Sequence, residues 1–138
     1  MADYLLGYTG AQVDALLDNE NDTAARLVYY GVVDGWTIMR WSNKWVEMYK
    51  RDTVTTDVKT AAGALYCSDE LTASLPTGVL ASIVNIDVRP IGGVSYLMVA
   101  QITGAAATNG NFTYSLISSW SHTSTNRTIQ YRIVGWGV

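Results

Sequence analysis

The sequence contains one histidine, and a catalytic role for it would need partners that the sequence does not supply. His122 lies in a polar stretch of Ser, Thr and Asn, and the last acidic residue of the chain is Asp87. A Ser–His–Asp site needs a nucleophile on a strained turn and a carboxylate that orients the imidazole. No Gly-x-Ser-x-Gly motif occurs, and His122 and the single cysteine, Cys67, are too few for a zinc site. The sequence therefore predicts no hydrolytic triad, no metal site and no cofactor.

Carboxylate pairs could in principle cleave a glycoside if two of them faced each other across a groove. The candidates in the middle of the chain are Glu47, Asp52, Asp57, Asp69, Glu70 and Asp87. Asp69 and Glu70 are neighbours in a predicted loop, where carboxylates are usually solvated. Glu47 has a predicted partner in Arg40. We therefore expect a protein that is not an enzyme.

A binding role is a better fit to the polar stretch around His122. Trp120 comes at the end of a predicted strand, and His122 and Asn126 follow it in the same loop. An aromatic ring flanked by hydroxyl and amide groups can stack on a sugar and hydrogen-bond to it. The structural alternative is a Trp that covers the core at a strand end. We predict Trp120, His122 and Asn126 as candidate receptor-binding residues.

A hairpin of tryptophan-rich strands is the clearest element of the sequence. Residues 36–42 and 45–50 alternate in polarity on either side of Asn43-Lys44. A two-residue loop at Asn43-Lys44 would place Arg40 directly opposite Glu47. Such an opposite-charge pair contributes roughly 0.2–1 kcal/mol, so it would set the register more than the stability.

The alternation with period two continues from Arg26 onward, with turn signals about every ten residues. The residues expected to face inward from the last two strands are Phe112, Tyr114, Leu116, Ile129, Tyr131 and Ile133. About eight strands are expected in one antiparallel core. The predicted fold class is all-β, an antiparallel β-sandwich preceded by a short N-terminal helix.

The N-terminal helix is predicted from a capping box, in which Thr9 and Gln12 satisfy the first amides. It should run to about Asn19. Its apolar stripe consists of Val13, Leu16 and Leu17. A helix of about three turns is not stable alone, so the stripe must dock. It packs either on its own β-domain or against the stripes of two other copies, and the spacing leaves both arrangements open.

Composition excludes several classes of protein. Only 15% of residues are charged, the formal net charge is -3, and basic residues cluster nowhere beyond Lys50-Arg51, so nucleic acid is not an expected ligand. The sequence contains no apolar run of about 18 residues, so membrane insertion is not predicted. A single cysteine excludes an internal disulfide framework, which favours production in the cytoplasm.

Three segments resemble the C-terminal region of bacteriophage tail-fibre proteins. They are Gly7 to Asp18, Trp36-Thr37 to Tyr49, and the turn Leu75-Pro76-Thr77-Gly78. Ile133-Val134-Gly135-Trp136 resembles the aromatic terminal strand of that family, and Glu47 and Tyr49 stand at the acid and final aromatic positions of its Trp-rich hairpin. Asn43-Lys44 departs from the usual Asn-Gly turn, and the long shaft that normally precedes this region is not seen in the sequence.

The resemblance implies a virion protein made in the cytoplasm of a bacterial host. Residues 1–25 would form an oligomerisation helix and linker, with Val13, Leu16 and Leu17 at the interface of a homotrimer. Residues 26–138 would form a β-sandwich head that binds a glycan or protein of the bacterial surface and contacts other virion proteins. The alternative is a structural virion protein, a head fibre or capping piece without receptor binding. A depolymerase is a third reading with little support.

Overall fold

The computed structural model describes residues 25–92, 97–104 and 110–138, and these residues form nine antiparallel strands without a helix. The strands are β1 (Leu27–Val33), β2 (Trp36–Trp41), β3 (Trp45–Ala62), β4 (Leu65–Ser68), β5 (Leu71–Ser74), β6 (Leu80–Ile91), β7 (Met98–Gly104), β8 (Asn111–Ser118) and β9 (His122–Gly137). The prediction of an all-β, antiparallel fold is confirmed. The predicted helix with Val13, Leu16 and Leu17 lies outside the described residues.

Two long strands organise the molecule. The first half of β3 pairs with β2 and its last residues pair with β4, while β9 pairs along the other edge of β3 from Trp45↔Trp136 to Val58↔His122. β9 also pairs with β6, so it is hydrogen-bonded on both edges. β8 pairs with β4 and β5 on one edge and with β7 on the other. β3 changes partners along its length. It therefore connects one group of strands, β1, β2, β9 and β6, with the other, β4, β5, β7 and β8.

The core lies between the inward faces of β8, β9 and the β2–β3 hairpin. Phe112, Tyr114 and Leu116 of β8 are fully buried, as are Ile129 and Ile133 of β9. The ring of Tyr131 lies 5.7 Å from the rings of both Phe112 and Tyr114, and 5.9 Å from that of Trp36. Tilted and edge-to-face contacts of this kind add stability beyond the burial of apolar area. The predicted inward faces of the last two strands are confirmed.

The predicted register of the Trp-rich hairpin is wrong by one residue. Arg40 pairs with Val46, and Glu47 pairs with Met39. The loop has three residues instead of two, because Lys44 N–H donates to the Trp41 carbonyl at 2.9 Å and Lys44 adopts a φ of 72°. The Asn43 side chain accepts a hydrogen bond from Trp45 N–H at 3.0 Å and stabilises this longer loop.

The separation of Arg40 from Glu47 follows from that register. Successive residues of a strand point to opposite faces, so the shift turns the two side chains away from each other. Arg40 lies with its guanidinium 6.0 Å from the centre of the Tyr29 ring, on the inward side. Glu47 is on the outward side. The predicted Arg40–Glu47 pair does not form.

Candidate ligand-binding face

The three receptor-binding residues predicted from the sequence do not share one face. Trp120 is 67% exposed in the turn between β8 and β9. His122 pairs with Val58 and Asn126 pairs with Thr55, three residues apart on β3. Because cross-strand partners point to the same side, His122 and Asn126 lie on opposite sides of the sheet. They cannot contact one small ligand together.

A bulge in β9 is the cause of this separation. Ser124 adopts a φ of 52°, and its N–H donates to Asp57 Oδ1 at 2.7 Å. This hydrogen bond, with the ion pair from Lys59 Nζ at 2.9 Å, lowers the pKa of Asp57. One extra residue on the β9 side changes which residues face outward.

A different set of residues forms a continuous surface near the other end of β9, and we refer to it as the aromatic face. It consists of the outward side chains Trp45, Glu47, Tyr49, Arg132 and Trp136 of β3 and β9, with Asp87 of β6. The register places Trp45 opposite Trp136, and Tyr49 opposite Arg132. Between them the inward residues Val46, Met48 and Ile133 are buried, so the core fixes the orientation of the surface residues.

Glu47 is at the centre of the aromatic face. The Trp45 indole N–H donates to its Oε1 at 3.3 Å, and the Tyr49 hydroxyl donates to its Oε2 at 3.1 Å. Arg132 Nη2 lies 3.7 Å from Oε1. One carboxylate therefore holds two aromatic rings and a guanidinium in place. A surface whose side chains are already ordered loses less entropy when it binds a ligand.

Arg132 supplies the positive charge of the aromatic face. Its guanidinium carbon lies 5.8 Å from the centre of the Tyr49 ring. A hydrogen bond with the Tyr49 hydroxyl, together with the charges of Glu47 and Asp87, raises the pKa of Arg132. The guanidinium therefore stays protonated and can donate several hydrogen bonds in a fixed plane.

The two tryptophans supply the apolar part of the surface. Their ring centres are 5.0 Å apart with the planes at 75°, so one edge points at the other face. Trp136 is 43% exposed, whereas Trp45 is less exposed and closer to Glu47. The open side of the Trp136 ring can therefore accept a flat apolar group.

A recess of about 290 Å³ lies beside Tyr49. The residues that line it with Tyr49 are Gly35, Thr37, Lys50, Arg51 and Gln130. Arg51 Nη2 donates to Gln130 Oε1 at 3.2 Å, and this contact keeps the cation on the outward side next to Arg132. The recess presents the Arg51 guanidinium, a hydroxyl and an amide to a ligand that extends beyond the aromatic rings. Lys50 points to the inward side, where its Nζ lies 5.8 Å from the centre of the Trp36 ring.

In residues 25–92, 97–104 and 110–138, no group of three or more His, Cys, Asp or Glu side chains is placed to hold a metal ion. The described part of the chain contains no helix that is long and apolar enough to cross a membrane. A scan against protein-family models, a search of curated proteins and a search of solved structures found no match to this chain.

The sequence contains a signal for the aromatic face that lies in two strands and in no single motif. Trp45, Glu47 and Tyr49 alternate along one strand, and Arg132, Val134 and Trp136 alternate along another. Each run shows one outward face with aromatic and charged residues. That the two runs are adjacent is a property of the long-range pairing of β3 with β9, and no local pattern indicates that pairing.

Proposed function

We propose that this chain is the head of a bacteriophage fibre protein, an adhesion module that binds a glycan of the bacterial surface through the aromatic face and does not cleave it. The observation that supports this proposal is the preordered group of Trp45, Glu47, Tyr49, Arg132 and Trp136 on the outward side of β3 and β9. The sequence resemblance to phage tail-fibre heads is an independent reason for it.

The chemistry of the aromatic face suits a saccharide. The C–H face of a sugar ring is apolar and stacks on an exposed indole, while its hydroxyls need donors and acceptors at the rim. Trp136 offers the stacking surface, and Arg132 and Asp87 offer charged hydrogen-bonding groups beside it. The recess with Arg51 lies next to these residues, and its guanidinium suits a carboxylate or phosphate on a neighbouring sugar of the chain.

The proposed assembly is a homotrimer in the virion, made in the host cytoplasm. The strands are proposed to form a β-sandwich head, with residues 1–25 as the oligomerisation segment. Three heads on one fibre convert weak single sites into strong attachment, because the second and third contacts are intramolecular. Adhesion therefore requires no catalytic group.

The test is binding of the purified chain to an array of bacterial envelope polysaccharides, with two matched tryptophan variants. Trp136→Ala removes the stacking surface and should weaken binding to the recognised polysaccharide at least about tenfold, which is ~1.4 kcal/mol. Trp120→Ala is the control, because Trp120 is also exposed but lies beyond the far end of β9, on the order of 45 Å away along the strand. We expect Trp120→Ala to bind like the unaltered chain.

The other outcomes separate the alternatives. Loss of binding in Trp120→Ala with normal binding in Trp136→Ala would move the site to the β8–β9 turn. No binding to any polysaccharide, together with binding to purified virion particles lacking the chain, would contradict adhesion and favour the structural head fibre or capping piece. Release of reducing sugar ends from a bound polysaccharide would show a depolymerase.

A further inference from the structure

β1 is an edge strand without the features that normally prevent pairing with another chain. Its sequence, Leu27–Val33, contains no charged residue, and its other edge has no neighbouring strand among the described residues. Its exposed large side chains are Leu27, Val28, Tyr29, Tyr30, Val32 and Val33. Tyr30 and Val32 are exposed by 67% and 66%. An open, apolar edge strand attracts other chains, and proteins normally guard such strands.

The opposite edge of the same group of strands shows the usual protection. β6 carries Asp87, Arg89 and Pro90, and its pairing with β9 is interrupted by two register shifts. Charges, proline and bulges all disfavour the addition of another strand. The difference between β6 and β1 indicates that β1 is covered in the assembled protein.

Both faces of β1 are apolar, and they differ in shape. Tyr30 and Val32 project from the outward face and pair with Met39 and Thr37 of β2. On the inward face, a groove of about 420 Å³ is lined by Tyr29, Val33, Ile38, Arg40 and Val79. A projecting pair on one face and a groove on the other form two different surfaces on one strand.

We propose that β1 is a contact between copies of this chain, in which Tyr30 and Val32 of one copy pack into the groove beside Tyr29 and Val33 of the next. A contact between two different surfaces is heterologous, and it closes into a ring when the rotation between copies permits. Three such contacts complete the trimer. This inference therefore rests on the trimeric assembly of the proposed function and adds the surface that holds it.

The two faces of β1 support a second copy as the occupant. One strand carries both halves of a contact, with the projecting Tyr30 and Val32 on one face and the groove beside Tyr29 and Val33 on the other. A second copy presents the complement of each face, so neighbouring copies on either side cover both faces of β1.

The first test is the mass of the full chain in solution, measured by light scattering. We expect the mass of three chains for the unaltered protein and that of one chain for Tyr30→Lys/Val32→Lys, because two buried charges cannot be accommodated at the contact. Val84→Lys is the control: Val84 is 56% exposed on the guarded strand β6, and its substitution should leave the mass of three chains unchanged. Near-ultraviolet circular dichroism checks that each variant is folded.

A mixing experiment tests the heterologous geometry. Val33→Lys alters the groove and leaves Tyr30 and Val32 intact, and it should also give single chains. An equal mixture of the two β1 variants retains one complete contact per pair of copies, so a mass of two chains should appear. A Tyr30→Thr/Val32→Thr variant, in which both new residues are β-branched and favour a strand, is used if the lysine variant does not fold, and it should also lower the mass.

Several results would overturn the proposal. They are a single-chain mass for the unaltered protein, a mass of three chains in both β1 variants, and a mixture that stays at one chain. A single-chain protein whose β1 amides are protected from hydrogen exchange would assign the cover to residues 1–24 of the same chain. Binding of each variant to the polysaccharide array is read separately: a trimer that collapses as expected but binds no glycan leaves the contact standing and contradicts adhesion.

Discussion

At the scale of single residues, the most constrained contact is a pair of tyrosines in the core. Tyr114 and Tyr131 are essentially inaccessible to solvent, and their hydroxyl oxygens lie 2.7 Å apart. Burial raises the pKa of both hydroxyls, so they remain protonated and bonded to each other. Each hydroxyl is the polar partner of the other in an otherwise aromatic environment.

This pairing predicts a strongly non-additive double substitution. Tyr114→Phe and Tyr131→Phe should each lower the free energy of unfolding by about 1–3 kcal/mol, because each leaves one buried hydroxyl without its partner. The double variant should cost clearly less than the sum, because no orphaned group remains. Urea unfolding of the four proteins measures the coupling. Strictly additive costs of the two single substitutions would contradict the direct bond.

The three binding residues predicted from the sequence do not form one site. Trp120 is as exposed as a binding residue should be, yet its predicted companions His122 and Asn126 are divided between two faces. The division arises from the bulge that Ser124 and Asp57 form across two strands. A contact between residues 67 positions apart leaves no local signature.

At the scale of elements, the β2–β3 hairpin depends on a strained loop residue. Lys44 has a φ of 72°, a left-handed conformation that costs a residue with a Cβ about 1–2 kcal/mol. The predicted two-residue turn was wrong because this conformation, with the hydrogen bond to Asn43, adds a third residue to the loop. Loop length cannot be deduced from composition when a side chain replaces a backbone partner.

The strain predicts that a glycine is favoured at this position. Lys44→Gly should raise the free energy of unfolding by up to about 1 kcal/mol, because the relief of strain exceeds the entropy cost of glycine. Asn43→Ala should have the opposite effect and lower it by about 0.5–1.5 kcal/mol, because Trp45 N–H loses its acceptor. Thermal unfolding of both variants measures the signs. A destabilised Lys44→Gly would contradict the strain argument.

At the scale of the whole molecule, the close approach of β6 to β9 depends on one glycine. A Cβ at Gly135 would collide with the backbone of Ser82 and Ile83, which lie between the two register shifts of β6. The backbone cannot rotate away as a side chain can. Gly135 therefore sets how closely the two strands pack.

This constraint predicts a contrast between two glycines. Gly135→Ala should lower the free energy of unfolding by about 1–3 kcal/mol, because β6 must shift away from β9. Gly104→Ala is the matched control: its Cβ would come too close only to the Thr113 hydroxyl, which can rotate away, and we expect a change within about 0.5 kcal/mol. Urea unfolding compares the two. Equal costs would mean that the β6–β9 distance adjusts freely.

The fold class was predictable from the sequence because alternation alone specifies which residues of β8 and β9 face inward. The extent of β3 and β9 was not predictable. β3 runs for 18 residues and changes partner from β2 to β4 without a break in its own pattern. The turn Asp34-Gly35, with φ values of 53° and 82°, is a hairpin signal that could have identified β1 in advance.

The position of β9 between β3 and β6 also fixes the order in which the molecule can be completed. A ribosome produces β3 and β6 before residues 122–137. Until β9 has been synthesised, β3 therefore has one unpaired edge and β6 has no strand partner among the described residues. Contacts between segments so distant in sequence form slowly. During that interval the nascent chain exposes the inward residues of β3 and β6. Aggregation is avoided only if β9 pairs with these strands before another unfolded chain does.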